Sequence, residues 1–454
     1  MKPLTLVLTL VGIFFQHQLA TATSYDTLYV RSDGSATWPC GTEASLPCKN
    51  IATAVAHAND YATTTIKVAQ GEYAEQVYIV DTLPTDLSKQ LTIEGGWNAD
   101  FTVQSPDSAL TRVTPSGNNA IISISLGAWE NVDLRLSYLT FRGNTNLQRI
   151  GIQGSANNST IDLTVEHCRV ESFRGQGLSL YADNIADINI SVTDTIIQGN
   201  FQYPSNEPWP GAGVYVASYN GSEIDLNIIN STISGNQASS GAGVYLYAQG
   251  DLPTTLTATL KNNILTGNQA SQQGGAIFSV AAGDAGDMLL SLTNTTLSNN
   301  EAGVRAGGIS VASFDTATLS VPLMNVIIWG NVLDISTERY NTSTLSVKAD
   351  YSIIGVVDTT AGGTYTSATS NLNVNPLLNA DYHLTGASPA KDKGICGLKI
   401  ALLGGGFFYS RIAPYDDIDG DLRPGYGIIS GCDIGADEYR FPWILFNPAF
   451  IKKQ

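Results

Sequence analysis

The side chains best suited to chemistry in this 454-residue chain are carboxylates, and they fall in two groups. Asp417, Asp419 and Asp421 stand in the run Asp417-Ile-Asp-Gly-Asp421. Carboxylates alternating through a turn suit a hard cation with oxygen ligands, calcium above all. An EF-type loop counted from Asp417 would have Gly sixth and Glu twelfth, where this chain has Leu422 and Ile428. The competing reading is a plain turn in which one aspartate pairs with Arg423. Apart from calcium, no cofactor is called for. The second group is Asp162, Asp187 and Asp225, at near-equivalent strand positions of successive repeats. Outward side chains on neighbouring strands sit about 4.8 Å apart. One column could therefore supply the two carboxylates of a glycosidase, roughly 5–9.5 Å apart. It could also supply the calcium-binding acids that a polysaccharide lyase sets beside an Arg or Lys base. The next repeats place Thr257 and then Leu289 or Leu290 there, so the acids stop, and a solvated acidic edge is the preferred reading.

Two further sets of residues have the right chemistry. The insert Phe201–Pro210 carries Tyr203, Glu207 and Trp209, and an aromatic, acidic loop could stack on a sugar ring. The bland alternative is a loop that packs down on its neighbour. His57, His167 and His383 lie in separate regions, so neither a histidine-based triad nor a zinc site is expected.

The element that must position these residues is a repeat running from about Leu136 to Gly355. Segments such as Ile228-Ile-Asn-Ser-Thr-Ile-Ser-Gly-Asn236, Leu260-Lys-Asn-Asn-Ile-Leu-Thr-Gly-Asn268 and Leu323-Met-Asn-Val-Ile-Ile-Trp-Gly-Asn331 align column by column. Starts at 136, 165, 192, 228, 260, 292 and 323 give steps of 27 to 36 residues, the period of a solenoid. The first and sixth columns are always apolar, and alternation with β-branched residues reads as strand. The third column is Tyr138, His167, Asp194, Asn230, Asn262, Asn294 and Asn325. Asn tolerates left-handed backbone and can bond to its copy one coil away, so this column is expected to be a buried amide ladder. Burial would exclude glycosylation at Asn230-Ser-Thr and Asn294-Thr-Thr. Further strand signals, Gly241-Ala-Gly-Val-Tyr-Leu246 and Leu256-Thr-Ala-Thr-Leu260 among them, make three strands per coil. The fold class is therefore all-β: a right-handed parallel β-helix. Cys48 to Ala58 reads as a short N-terminal capping helix with Ile51, Val55 and Ala58 on one face, covering the open apolar end that a solenoid must close.

Three resemblances attach to these motifs. Phe141-Arg-Gly-Asn144 and Gly274-Gly-Ala-Ile277 resemble the repeats of polymorphic outer-membrane adhesins, although Ile or Leu replaces Phe elsewhere. More broadly, the coils are similar to secreted β-helix proteins of the pectin-lyase-like fold; the polygalacturonase signatures are absent as a set. The order Asn375-Pro-Leu-Leu378, Tyr382-His-Leu384, Asp417-Ile-Asp-Gly-Asp-Leu-Arg-Pro424 and Asp433-Ile-Gly-Ala-Asp-Glu-Tyr439 resembles the choice-of-anchor Q domain. That resemblance implies a secreted or surface protein.

Met1 to Ala22 reads as a secretory signal: Lys2, an apolar run to Phe15, and a small-residue cleavage site at Ala20-Thr-Ala22. The expected organisation is then 23–115 cap and first coils, 116–379 coils, 380–440 C-terminal module, and 441–454 tail. Disulfides persist outside the cell. Four cysteines allow three connectivities; Cys40 with Cys48 and Cys396 with Cys432 are preferred, because the first two are near in sequence and the second two flank one module. Cys168, beside small residues in the other repeats, is expected to be a buried, inert thiol. The formal charge of −17 and the lack of a basic patch exclude nucleic acid as a partner. No transmembrane segment is expected after signal cleavage. The functional expectation is a monomeric, secreted or cell-surface scaffold (the periplasm being the alternative location) that binds carbohydrate or a cell-surface component without catalysis; the rival is an extracellular polysaccharide lyase or glycoside hydrolase.

Overall fold

Alternating apolar residues with β-branched neighbours can bury one strand face only if each strand lies beside the next copy of itself. The computed structural model describes residues 26–58, 63–80, 88–117, 119–126, 129–144, 150–201, 210–401, 407–424 and 430–440. Among these, the strands form three long, wholly parallel sheets. One has twelve strands, from Thr27–Ser35 to Thr364–Ser367, and each of the other two has ten. The chain is a parallel β-helix. One coil shows the path: Thr254–Lys261 in the twelve-stranded sheet, a turn at Asn262, then Ile264–Thr266 in the second sheet. A short strand, Gln269–Gln273, leads to Ile277–Ala282 in the third sheet. Such short strands pair in coils carrying Gln237–Ser240, Gln269–Gln273 and Glu301–Ala302, so these coils have a fourth small side beyond the three expected.

Registers match the sequence columns. Ile228 pairs with Leu260, Leu260 with Leu292, and Leu292 with Leu323. Ile233, Leu265, Leu297 and Ile328 follow one another in the second sheet, fully buried. These inward files fuse into one apolar core along the axis. At the N-terminal end the helix Ile51–His57 lies against the first strands and buries Ile51, Ala54 and Val55, with Ala58 packed alongside. Its first backbone N–H groups are met by Glu75, whose carboxylate accepts from Ile51 N and Ala52 N, both at 2.8 Å. Cys40–Cys48 and Cys396–Cys432 are disulfides, and Cys168 is a buried free thiol pushed up to about 12 by burial.

The expected amide ladder sits one turn further along the coil than the sequence columns suggested. It is the ninth column. Nδ2 of Asn200, Asn236, Asn268 and Asn300 each donates to Oδ1 of the next coil's Asn, ending at Asn331, over 2.9–3.0 Å. The same oxygens also accept backbone N–H groups. Asp334 closes the run, accepting from Asn331 Nδ2 at 2.8 Å. Gly199, Gly235, Gly267 and Gly330, just before these Asn residues, have φ between 60° and 76°, where a Cβ is costly. The third column is a true vertical file, but of a different kind. From Tyr138 to Tyr351 its eight members all have φ between 47° and 55°. Its amides bond in pairs, Asn262 Nδ2 to Asn230 Oδ1 and Asn325 Nδ2 to Asn294 Oδ1, both 3.1 Å, and do not run on as a ladder.

Candidate cleft between the coils and the C-terminal segment

That left-handed file is where the C-terminal part of the chain docks. Beyond the last coils it folds through small antiparallel pairs, Gly394–Ile395 with Ser430–Cys432 and Gly397–Ala401 with Phe407–Arg411. It then lies along the turns. Asn325 exchanges bonds with Ile395, giving Nδ2 to its carbonyl at 2.7 Å and taking its N–H at 2.8 Å. Asn294 Nδ2 donates to Asp433 O and Gly435 O, each at 3.2 Å. Asn262 donates to Asp416 O and accepts from Arg423 Nη2 at 3.2 Å. The Arg423 side chain is wholly buried and also meets Gly435 O, Ala436 O and the Glu438 carboxylate, the last at 2.8 Å. Asn262, Asn294 and Asn325 are therefore buried from outside, while Asp194 and His167, to which the described part of the segment makes no hydrogen bond, stay exposed.

Where the segment lifts away from the second sheet it leaves a cleft of about 470 Å³. Asp194, Asn230, Thr232, Ser234 and Thr266 line it from the coils; Asp381, Tyr382, His383 and Asp419 line it from the C-terminal side. Tyr382 is anchored by its hydroxyl, which accepts from Asn299 Nδ2 at 3.2 Å. His383 Nε2 lies 3.1 Å from Asp419 Oδ2. Behind them Asp437, its Oδ2 accepting from Leu384 N at 2.7 Å, is pushed up to about 6 by burial, against the pull of that bond and of His383. The lining mixes hydroxyls, carboxylates and the Asn230 amide with apolar surface from Ile196, Ile264, Ala380 and Ile418, beside the Tyr382 ring.

The residues singled out from sequence separate. Of the acidic run, Asp417 is spent on its own backbone: Oδ1 accepts from Asp419 N and Asp421 N, and Oδ2 from Glu438 N. It is an Asx-type turn. Asp421 turns to Arg440, 3.2 Å away. Only Asp419 faces the cleft, so the three do not converge as a calcium loop would require, and Arg423 pairs with Glu438 rather than with any of them. Asp162 and Asp225 do share an outward column, but between them stands Asn189, which donates to Asp162 Oδ1 at 2.8 Å. Asp187 lies one outward column away, beside Glu223, and Asp133 extends the Asp162 column. Burial first, then the neighbouring acids, raise Asp133 and Asp187 above the usual carboxylate range. The one arginine acting on Asp133 is Arg135, engaged with Glu166 at 2.6 Å. This face is an acidic patch without a free base among the residues described. Tyr203, Glu207 and Trp209 lie outside the described residues.

Missed from sequence was the convergence of His383, Asp419 and Asp437, one ligand atom of each lying within 4.8 Å of the others. They sit 36 and 18 residues apart in the chain, so spacing gave no signal; the three motif blocks that carry them were the only hint. Aromatic rows on the third sheet were also missed. Tyr215 and Tyr245 stack at 5.4 Å and 5°, and Phe314 with Tyr340 at 4.7 Å and 3°. These rings spend their faces on one another, which ties coils together and leaves less for a ligand.

No family model matches this chain, and no curated protein is found to be similar to it in sequence.

Proposed function

We propose that the chain acts outside the cytoplasm as a non-catalytic binding scaffold, and that the cleft beside Tyr382 takes a neutral oligosaccharide. One observation carries this: a half-open cleft of about 470 Å³, part polar and part apolar, whose donors and acceptors come from the coils on one side and from Tyr382, His383 and Asp419 on the other. Sugars are held by such directional polar groups with an aromatic ring against their C–H face. Asp194, Asp381 and Asp419 in the lining, and the overall charge of −17, repel polyanionic glycans. The two disulfides fit an oxidising compartment. The pectin-lyase-like and choice-of-anchor-Q-like motifs point to the same setting. No helix among the described residues is long and apolar enough to cross a membrane.

The test is calorimetry of the purified chain against neutral oligosaccharides, with pectin, alginate and glycosaminoglycan fragments as comparators. Binding of a neutral glycan, weakened about tenfold by Tyr382→Ala through loss of ring contact, is the expected result. No binding, or binding indifferent to Tyr382→Ala, overturns the cleft assignment. Release of reducing or unsaturated ends would replace the scaffold reading with the lyase or hydrolase one.

A further inference from the structure

We infer that His383, Asp419 and Asp437 form a binding site for one transition-metal cation of the Zn²⁺ class, in the wall between the C-terminal segment and the cleft. The site stands whether or not the cleft takes a sugar. Three separate stretches bring the donors together: the turn bridged by Leu378 and Leu384, the turn bridged by Asp416 and Leu422, and the chain after the Cys432 disulfide. One nitrogen and two carboxylate oxygens lie within 4.8 Å of one another, somewhat wider than the roughly 3.4 Å edge of a tetrahedral site with bonds near 2.1 Å. Asp419, whose side chain is 58 % exposed, is the member free to swing in.

A second, independent feature is the imidazole itself. His383 Nε2 itself has almost no exposed surface, although the side chain is 24 % exposed; it faces Asp419 Oδ2 at 3.1 Å without forming a hydrogen bond to it. A ring nitrogen that meets a carboxylate without a hydrogen bond is under-satisfied, and a metal ion bound to both would satisfy the pair. Around it Asp437 is held in place by Leu384 N, a hydrogen bond of the kind that orients metal-ligating carboxylates. The donor set decides the class of ion. Calcium and magnesium take oxygen ligands, whereas imidazole suits zinc and its transition-series neighbours. Three protein donors leave room for a fourth ligand on the side where His383 and Asp419 face the cleft. The other His/Cys cluster, Cys40, Cys48 and His57, is excluded because its two sulfurs are joined in a disulfide.

The purified chain, stripped with EDTA and dialysed, is titrated with zinc chloride and, separately, calcium chloride. One equivalent of zinc is expected to bind, to raise the unfolding temperature, and to lose at least tenfold in affinity in His383→Gln and in Asp419→Asn. Asp419→Asn changes a mostly exposed side chain and keeps the test meaningful if His383→Gln does not fold. His167→Gln, which removes the histidine 3.9 Å from Asp194, is the control and leaves zinc binding unchanged. No zinc uptake by the stripped chain overturns the site. So does zinc binding that survives both variants, or calcium binding as tight as zinc that is indifferent to His383→Gln.

Discussion

Two files of asparagine run up this molecule, and they do opposite work. Asn200, Asn236, Asn268, Asn300 and Asn331 point inward, each amide meeting the next, with every donor and acceptor spent inside the coil stack. Asn230, Asn262, Asn294 and Asn325 sit at left-handed turns with their amides turned outward, and the C-terminal segment satisfies three of them. The inner file makes the helix cohere along its axis. The outer file makes a lateral dock. The same residue type serves both for different reasons: the outer file uses the tolerance of Asn for positive φ, the inner file its two-sided amide. What differs is only which way the turn aims it.

The comparison breaks most sharply at Arg423. Its guanidinium has no exposed surface and joins the outer file to the Glu438 carboxylate. Arg423→Ala leaves that carboxylate buried and unpaired, a change that costs roughly 3–5 kcal/mol. Hydrogen exchange should rise across residues 372–440 and stay unchanged in the coils before Asn200, since the inner file is untouched. Uniform loss of protection along the whole chain would show that dock and stack are not separable. Next is Asn268→Ala in the middle of the inner file. It strips the acceptor from Asn236 N and Nδ2 and a donor from Ile233 O and Asn300 Oδ1, all buried. At about 1–3 kcal/mol for a buried group left unsatisfied, a loss of about 2–4 kcal/mol is expected in denaturant unfolding. Asn230→Ala, in the outer file beyond the dock, should cost only about 1 kcal/mol: the left-handed turn penalty and one 3.1 Å bond from Asn262. Equal costs for Asn268→Ala and Asn230→Ala would erase the distinction between the files.

Much of the fold could be read from the residues, because a solenoid repeats its constraints. Apolar columns one and six, the capping helix near Ile51, and the short Cys40–Cys48 and intramodular Cys396–Cys432 links all follow from pattern or proximity. The ladder lies in column nine and not, as the Asn pattern suggests, in column three, for a physical reason. Columns three and nine both recur as Asn, and only side-chain direction at a left-handed turn separates an amide facing the core from one facing out. The Gly before four of the five ninth-column Asn residues was the available clue: that position carries the positive φ (Asn299 fills it before Asn300), freeing the Asn after it to turn inward. The cleft was illegible for another reason. Asp194 and His383 line one cleft only because the C-terminal segment folds back along the coils, and no local periodicity encodes that return. Likewise Asp187 was placed with Asp162 and Asp225 by counting repeats, but the strand register gives that slot to Asn189.

The effect most easily switched on and off is a titration on the dock side. Asp437 is pushed up to about 6 by burial, against about 3.9 for an unfolded aspartate. Below pH 4 both states hold the proton and the group contributes no penalty. Between pH 4 and 6 the folded chain keeps a proton that the unfolded chain has lost, so stability falls as pH rises and the full penalty is present above 6. Asp417, Asp419 and His383 face the same carboxyl, the two acids adding to the shift and His383 opposing it. In EDTA, Asp437→Asn should therefore melt higher than the parent at pH 7, by at most about 3 °C for a chain this long, with the gap closing by pH 4. Added zinc should reverse the order at pH 7, since the parent gains a ligand that the variant lacks. A gap that is constant with pH would mean that Asp437 ionises normally and that burial there is relieved by water. An order that zinc leaves unchanged would separate the titration from the metal and leave the outer file as a dock alone.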